Sequence, residues 1–152
     1  MGQDSPHIAV IGAGRASPEQ TEAAEAVGRA LAEAGAVLVC GGLGGVMEAA
    51  CRGAKAAGGT TVGILPGDDR SHANEHVDVA IATGLGEARN ALIVRAADAL
   101  VAVGGEYGTL SEIALALKTG KPVVGLGSWD LDAVVRAETA EEAVRRALDL
   151  AA

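Results

Sequence analysis

The residues GGEYGTLSE at positions 104–112 decide the fold, because they join an apolar strand to a helix through a glycine turn. The run ALVAV at 99–103 precedes them and is typical of a strand that is covered on both faces. A helix is predicted to follow, over 109–119. Glycines allow the backbone to approach an anion closely, and the first amides of a helix point toward it. The unit therefore predicts a phosphate cradle at the carboxyl end of a parallel sheet.

Two further glycine turns stand earlier in the chain. The turn CGGLGG at 40–45 opens a predicted helix and places bare amides at its start, which favours ligand contact. The turn GAG at 12–14 resembles the start of a dinucleotide fingerprint, but Ser17 replaces the third glycine. The second strand also runs into Cys40-Gly41-Gly42, without the acid that binds the ribose of NAD. We therefore expect no NAD(P) oxidoreductase; the GAG turn is either a tight connection or part of a mononucleotide cleft.

Around these turns, strand and helix patterns alternate with short connections. Strands are predicted over 7–11, 36–39, 60–65, 77–82, 99–103 and 123–126, with an edge strand near 134–135. Helices are predicted from Pro18 to a stop at Gly35, then over 46–57, 87–97, 109–119 and 139–150. Ser17 and Gln20 are spaced as a capping box, and so are Thr139 and Glu142. The alternation predicts one Rossmann-like, doubly wound α/β domain in three α/β/α layers, with a mostly parallel sheet.

Composition limits the possible functions. The chain has 152 residues, which suits a single nucleotide-binding domain over 1–152, with residues 1–6 expected to be disordered. The net charge is −8, and the only aromatic residues are one Trp and one Tyr, so a nucleic-acid partner is not expected. Cys40 and Cys51 lie in apolar surroundings and are predicted to be buried free thiols. No apolar run is long enough for a membrane span, and no signal peptide is recognised, so we expect a cytoplasmic protein.

Two charged residues have more than one interpretation. Thr109 and Glu112 form a Thr-x-x-Glu capping box, but a ligand phosphate at the same amides would instead leave Glu112 beside the sugar as a general base. Arg89 falls in the first turn of the helix predicted over 87–97, where the helix dipole disfavours a cation. It is either a solvated surface residue or the partner of an anionic ligand, with Asn90 beside it.

Other chemistries are less well supported. The segment 66–76 is polar and irregular, and its Asp68, Asp69, His72, Glu75 and His76 follow no metal-binding spacing. It is interpreted as a solvated loop, and no metal site is predicted. The three lysines are not adjacent to a glycine turn, so no residue is a good candidate for a pyridoxal-phosphate aldimine.

The glycine turns, together with Ala88-Arg89-Asn90 and Val46-Met47, resemble the Lonely Guy superfamily of riboside 5′-monophosphate phosphoribohydrolases. The resemblance covers about residues 8–124. The short form looks closest to the branch that holds molybdenum-cofactor carrier proteins. Residues 104–112 are similar to the superfamily's P-G-G-x-G-T-x-x-E motif, with Gly104 in place of proline and Glu106 in place of the second glycine. The superfamily's Arg-Lys pair is Arg89-Asn90 in this chain.

The resemblance implies catalytic roles for Arg89 and Glu112 and a homodimer with its site near the interface. It implies hydrolysis of the N-glycosidic bond of a nucleoside 5′-monophosphate. There are two alternatives. One is a non-catalytic carrier of molybdenum cofactor or another phosphate-bearing pterin, and the other is a nucleotide-sensing module. The expected ligand is AMP-like or molybdopterin-like, with no resident cofactor. Motif and glycine turns together give these expected ligand contacts: Gly12, Gly14, Gly41, Gly42, Gly44, Gly45, Met47, Asn90, Gly104, Gly105, Gly108 and Thr109.

Overall fold

The computed structural model describes residues 5–152 and shows one seven-stranded sheet. Its strands are β1 (His7–Gly12), β2 (Val37–Cys40), β3 (Thr60–Leu65), β4 (Val79–Ala82), β5 (Ala99–Val103), β6 (Val123–Leu126) and β7 (Val135–Ala137). Their order across the sheet is β4-β3-β2-β1-β5-β6-β7, and every neighbouring pair is parallel. The chain reverses its winding direction at β1, between β2 and β5, which is where ligands bind in folds of this class.

Five α-helices cover the two faces of the sheet. They are α1 (Pro18–Glu33), α2 (Val46–Ala56), α3 (Asn90–Ala96), α4 (Tyr107–Lys118) and α5 (Ala140–Ala151). Side chains alternate along a strand, so Ile8 and Val10 pack with α1, α2 and α5, whereas Ala9 and Ile11 pack with α3 and α4. The predicted three-layer α/β/α architecture is confirmed.

Local sequence signals explain most helix ends. The predicted capping box of α1 is confirmed: the Gln20 amide donates to Ser17 Oγ at 3.1 Å, and the Ser17 amide donates to Gln20 Oε1 at 3.1 Å. At α5 the Glu142 amide donates to Thr139 Oγ1 at 3.1 Å, but Glu142 Oε1 accepts from the Glu138 amide instead of closing the box at Thr139. The helix predicted over 87–97 is divided into a 3₁₀ turn, Gly86–Arg89, and α3.

Four further expectations concern the cysteines, the polar loop, the N-terminus and the possibility of a membrane span. Cys40 and Cys51 are confirmed as buried free thiols, with their Sγ atoms 3.5 Å apart. The segment predicted to be an irregular loop contains a single 3₁₀ turn, Arg70–His72. The N-terminus predicted to be disordered lies largely outside the described residues. Within residues 5–152, no helix has the length and apolar character needed to cross a bilayer.

Candidate functional site

A cavity of about 500 Å³ opens at the carboxyl ends of β1, β2 and β3, beneath the starts of α3 and α4. It therefore lies at the reversal point of the sheet, where several backbone turns converge. The predicted site residues that line it are Gly12, Gly14, Gly41, Met47, Arg89, Asn90, Gly108, Thr109 and Glu112. The fold thus brings residues from four separate sequence motifs to one cavity.

Arg89 ends the 3₁₀ turn that precedes α3, so it does not stand in the first turn of an α-helix as the sequence predicted. Its side chain is half-buried and fixed: Nε donates to the Ile64 carbonyl at 2.9 Å, and Nη1 donates to Asn90 Oδ1. Burial lowers the pKa of Arg89, but a guanidinium keeps its charge in proteins. The structure therefore holds a permanent cation at the cavity wall.

Gly41 makes room for this cation. A Cβ at position 41 would lie 2.7 Å from Arg89 Nη2 and 2.8 Å from Met47 Sδ. The turn is also held from below, because the Gly42 amide donates to Cys40 Sγ at 3.3 Å. A larger residue at position 41 would therefore displace the Arg89 guanidinium and the Met47 thioether from their present positions.

Glu112 lies on α4 and is 8% exposed. Burial raises the pKa of Glu112 to about 7, although the Arg89 charge acts in the opposite direction. Among the ion pairs of residues 5–152, none joins Glu112 to Arg89. Burial thus brings the pKa of this carboxyl group into the neutral range, and the group faces the cavity.

The capping-box interpretation of Thr109 and Glu112 is wrong. The helix begins two residues earlier than predicted, at Tyr107, with Glu106 as the N-cap residue. Thr109 is then the third residue of α4, and its buried side chain occupies the space beside Gly105. Gly108 and Thr109 lie in the first helical turn, whose amides lack helical acceptors and carry the positive end of the dipole.

Glu106 places a second carboxylate at this helix start. Its side chain makes no capping hydrogen bond, it is exposed, and it lines the cavity. The turn is held from outside, because Trp129 Nε1 donates to the Glu106 carbonyl at 3.2 Å. The cavity wall therefore combines two arginines, Arg15 and Arg89, with the carboxylates of Glu87, Glu106 and Glu112.

Five of the predicted contacts lie outside the cavity lining. Gly104 and Gly105 line a separate depression of about 410 Å³ with Gln20 and the segment 127–130. Gly42 packs against Leu65. Gly44 lies beside the Gly14 carbonyl, and Gly45 is the N-cap residue of α2. A Cβ on Gly45 would come within 2.3 Å of the Ala13 carbonyl, so close packing of two turns explains this glycine.

The sequence analysis missed several lining residues. Arg15, Leu43, Pro66, Glu87 and Ile93 also face the cavity. Arg15 directly follows the GAG turn, and a cation at that place was a usable signal for an anion site. The others reach the cavity through long-range packing and carry no local pattern.

Comparisons with known proteins agree with the fold described above. Residues 5–151 match the model of the SLOG cluster4 family. An uncharacterized protein of Archaeoglobus fulgidus is 51% identical over 138 residues, covering 90% of this chain and 91% of that protein. The molybdenum cofactor binding protein of Rippkaea orientalis superposes with a TM-score of 0.93 at 39% identity, covering 99% of this chain and 100% of that one. The Moco carrier protein of Chlamydomonas reinhardtii superposes with a TM-score of 0.88 at 40% identity, covering 96% and 97%.

Proposed function

The chain belongs to the SLOG cluster4 family, and we propose that it binds molybdenum cofactor, a phosphate-bearing pterin, as a carrier in the cavity at the reversal point of the sheet. The membership confirms the superfamily that the glycine motifs indicated. The observation that carries the proposal is near-complete superposition on two structures, one named as a binding protein and one as a carrier of this cofactor.

The cavity chemistry supports the same ligand. The amides at Gly108 and Thr109, together with Arg15 and Arg89, suit the phosphate group. The cavity carboxylates suit the pterin ring of the ligand. The ring has neighbouring amino and N–H groups that can donate hydrogen bonds to a carboxylate. A ligand with an anionic end and a donor-rich ring matches a wall of mixed charge better than a simple anion does.

The test is retention of the ligand. The purified protein is incubated anaerobically with molybdenum cofactor and passed through a desalting column, and bound molybdenum and pterin fluorescence are measured. We expect both to remain with the protein. Arg89→Ala should weaken retention by roughly 10- to 100-fold, which corresponds to the loss of a charge-assisted hydrogen bond. Arg95→Ala is the matched control, because Arg95 lies on α3, which directly follows Arg89, but outside the cavity lining.

Phosphoribohydrolase activity is the second candidate, and one observation favours it. Glu112, whose pKa is about 7, faces the same cavity as Arg89 and has the proton affinity of a general base near neutral pH. In the same protein sample, release of free base from AMP or GMP, abolished by Glu112→Gln, would select the hydrolase. Retention of the pterin without base release would select the carrier. If the protein neither retained the pterin nor released a base, both candidate functions would be contradicted.

We also propose that the protein is a homodimer. Within residues 5–152, β4 is an edge strand, and Val79 and Ile81 on it are 49% and 46% exposed. Leu85 and Leu92, on either side of Arg89, are also exposed. An uncovered apolar edge is a recognised pairing surface, and a second copy there would lie next to the cavity.

A further inference from the structure

A cluster of three metal-ligating side chains lies outside the cavity lining. Glu48 is in the first turn of α2, whereas Glu75 and His76 precede β4. One ligand atom of each residue lies within 4.8 Å of the other two, and His76 Nε2 is 3.5 Å from Glu75 Oε1. These three residues are called the Glu-Glu-His cluster. Sequence alone places Glu75 and His76 in a solvated loop, and Glu48, which precedes β3, shares no local pattern with them.

The backbone beneath the cluster is fixed by contacts that leave its ligand atoms free. The backbone amide of Asn74 donates to the Gly42 carbonyl at 2.9 Å, and its side-chain Nδ2 donates to the Leu43 carbonyl at 2.8 Å. Its Oδ1 accepts from the His76 amide at 3.0 Å, and the His76 carbonyl accepts from Thr61 Oγ1 at 2.6 Å. The segment that carries Glu75 and His76 is therefore tied to the turn that leads into α2 and Glu48.

The charge of the cluster is not balanced by basic side chains. The neighbouring cations have other partners: Lys55 Nζ pairs with Asp78 at 2.9 Å, and Arg52 pairs with Glu25 at 3.3 Å. In the part of the chain that the structure describes, no lysine or arginine forms an ion pair with Glu48 or Glu75. Two carboxylates so close together repel each other, and a bound cation would offset that repulsion.

The donor set indicates the kind of cation. Two carboxylates and one imidazole are ligands of zinc and its first-row neighbours, whereas calcium and magnesium prefer oxygen alone. Zinc binds such atoms at about 2.0–2.2 Å, so the three must move closer together. Glu75 can do so by rotation, because its side chain is 80% exposed. His76, with 24% exposure, is the more fixed member.

We propose that Glu48, Glu75 and His76 form a binding site for a divalent transition-metal ion. Three protein ligands leave the fourth tetrahedral position open to water or another ligand. The site is independent of the proposed carrier function, because none of the three residues lines the cavity.

The experiment is a titration of the full-length, chelator-treated protein with ZnCl₂ by calorimetry, supported by the visible spectrum of the CoCl₂ complex. We expect one ion per chain and cobalt d–d bands. His76→Ala should weaken zinc binding by at least the roughly 10- to 100-fold typical of losing a ligand's supporting contact. Excess CaCl₂ should leave zinc bound.

His72→Ala is the matched control, because His72 lies in the same segment but contacts Asp69 rather than the cluster. It should bind zinc as the wild type does. Glu48→Gln, which keeps the side-chain shape, gives a second measurement if His76→Ala proves unstable in thermal melting. Equal zinc affinity of the wild type, Glu48→Gln and His76→Ala would overturn the proposal, and so would the absence of zinc binding to the wild type.

Discussion

At the scale of single residues, Glu112 couples the cavity to folding stability. Its pKa is raised by burial from an ordinary value of 4.5 to about 7, so the folded protein holds this proton more tightly than the unfolded chain does. The stabilisation is fully present below pH 4.5 and is lost as the pH rises through 7. The ionised group is thus maintained in the cavity at the cost of fold stability, as is common for functional carboxylates.

Glu112→Gln should remove this dependence. The free energy of unfolding of the variant should exceed that of the wild type by an amount that grows between pH 4.5 and pH 7 and then levels off. The upper limit of the gain is about 3 kcal/mol. Urea denaturation at a series of pH values measures it, with Glu22→Gln on the exposed face of α1 as the control. A difference that is constant with pH would contradict the burial argument.

Sequence reasoning identified Arg89 and Glu112 but not their environments. A cation in the first turn of a predicted helix and a glutamate after a glycine turn are local patterns, and both residues do line the cavity. The Ile64 carbonyl that holds Arg89 is 25 residues away, so no local pattern could indicate it. The Thr-x-x-Glu spacing was misleading because the helix begins at Tyr107, where no side-chain cap marks its start.

At the scale of elements, α1 and α2 approach each other through two glycines. A Cβ on Gly28 would lie 1.9 Å from the Ala50 carbonyl oxygen, and one on Gly53 would lie 2.0 Å from the Glu25 carbonyl oxygen. Both obstacles are backbone atoms, which cannot rotate away as a side chain can. This contact positions the start of α2, which includes Met47, and with it the preceding turn that carries Gly41.

Gly28→Ala should therefore destabilise the protein, although alanine is the better helix former by about 1 kcal/mol. Overpacking of this kind costs about 1–3 kcal/mol or more, and the midpoint of urea denaturation should fall accordingly. Gly67→Ala is the control, because the nearest atom to its Cβ would be His72 Nδ1 at 3.9 Å. An unchanged midpoint for Gly28→Ala would show that the two helices can move apart freely.

The sequence predicted the type of nearly every element, because apolar strands and capped amphipathic helices follow local periodicity. The prediction of a helix over 87–97 was less accurate, because its first turn is 3₁₀. In that turn the Arg89 side chain donates to the Ile64 carbonyl of β3, and the Gly86 amide donates to the Pro66 carbonyl that follows β3. The sequence analysis interpreted glycines in turns, but a glycine-mediated contact between two helices could not be assigned to Gly28 and Gly53 without the structure.

At the scale of the whole molecule, the alternation of strands and helices predicted the layers but not the order of the strands. The edge strand predicted near 134–135 is β7 at one end of the described sheet, but no local signal indicated that β4 lies at the other end. The order explains the uncovered apolar side chains. Val79 and Ile81 are in register with Val62 and Ile64, which pack on the α3 face, so all four side chains point to that face.

Ile81→Lys should therefore convert the proposed homodimer into a monomer, because a charge placed in an apolar interface is costly to bury. Light scattering coupled to gel filtration measures the mass. Leu150→Lys on α5 is the matched control, since Leu150 is 45% exposed, compared with 46% for Ile81, and α5 packs beside β5, β6 and β7, away from β4 in the strand order. We expect this control to keep the dimer mass. A dimer that survives Ile81→Lys, or a wild-type monomer, would remove the edge strand from the interface. A wild-type monomer would also mean that the cavity beside Arg89 is complete within a single chain.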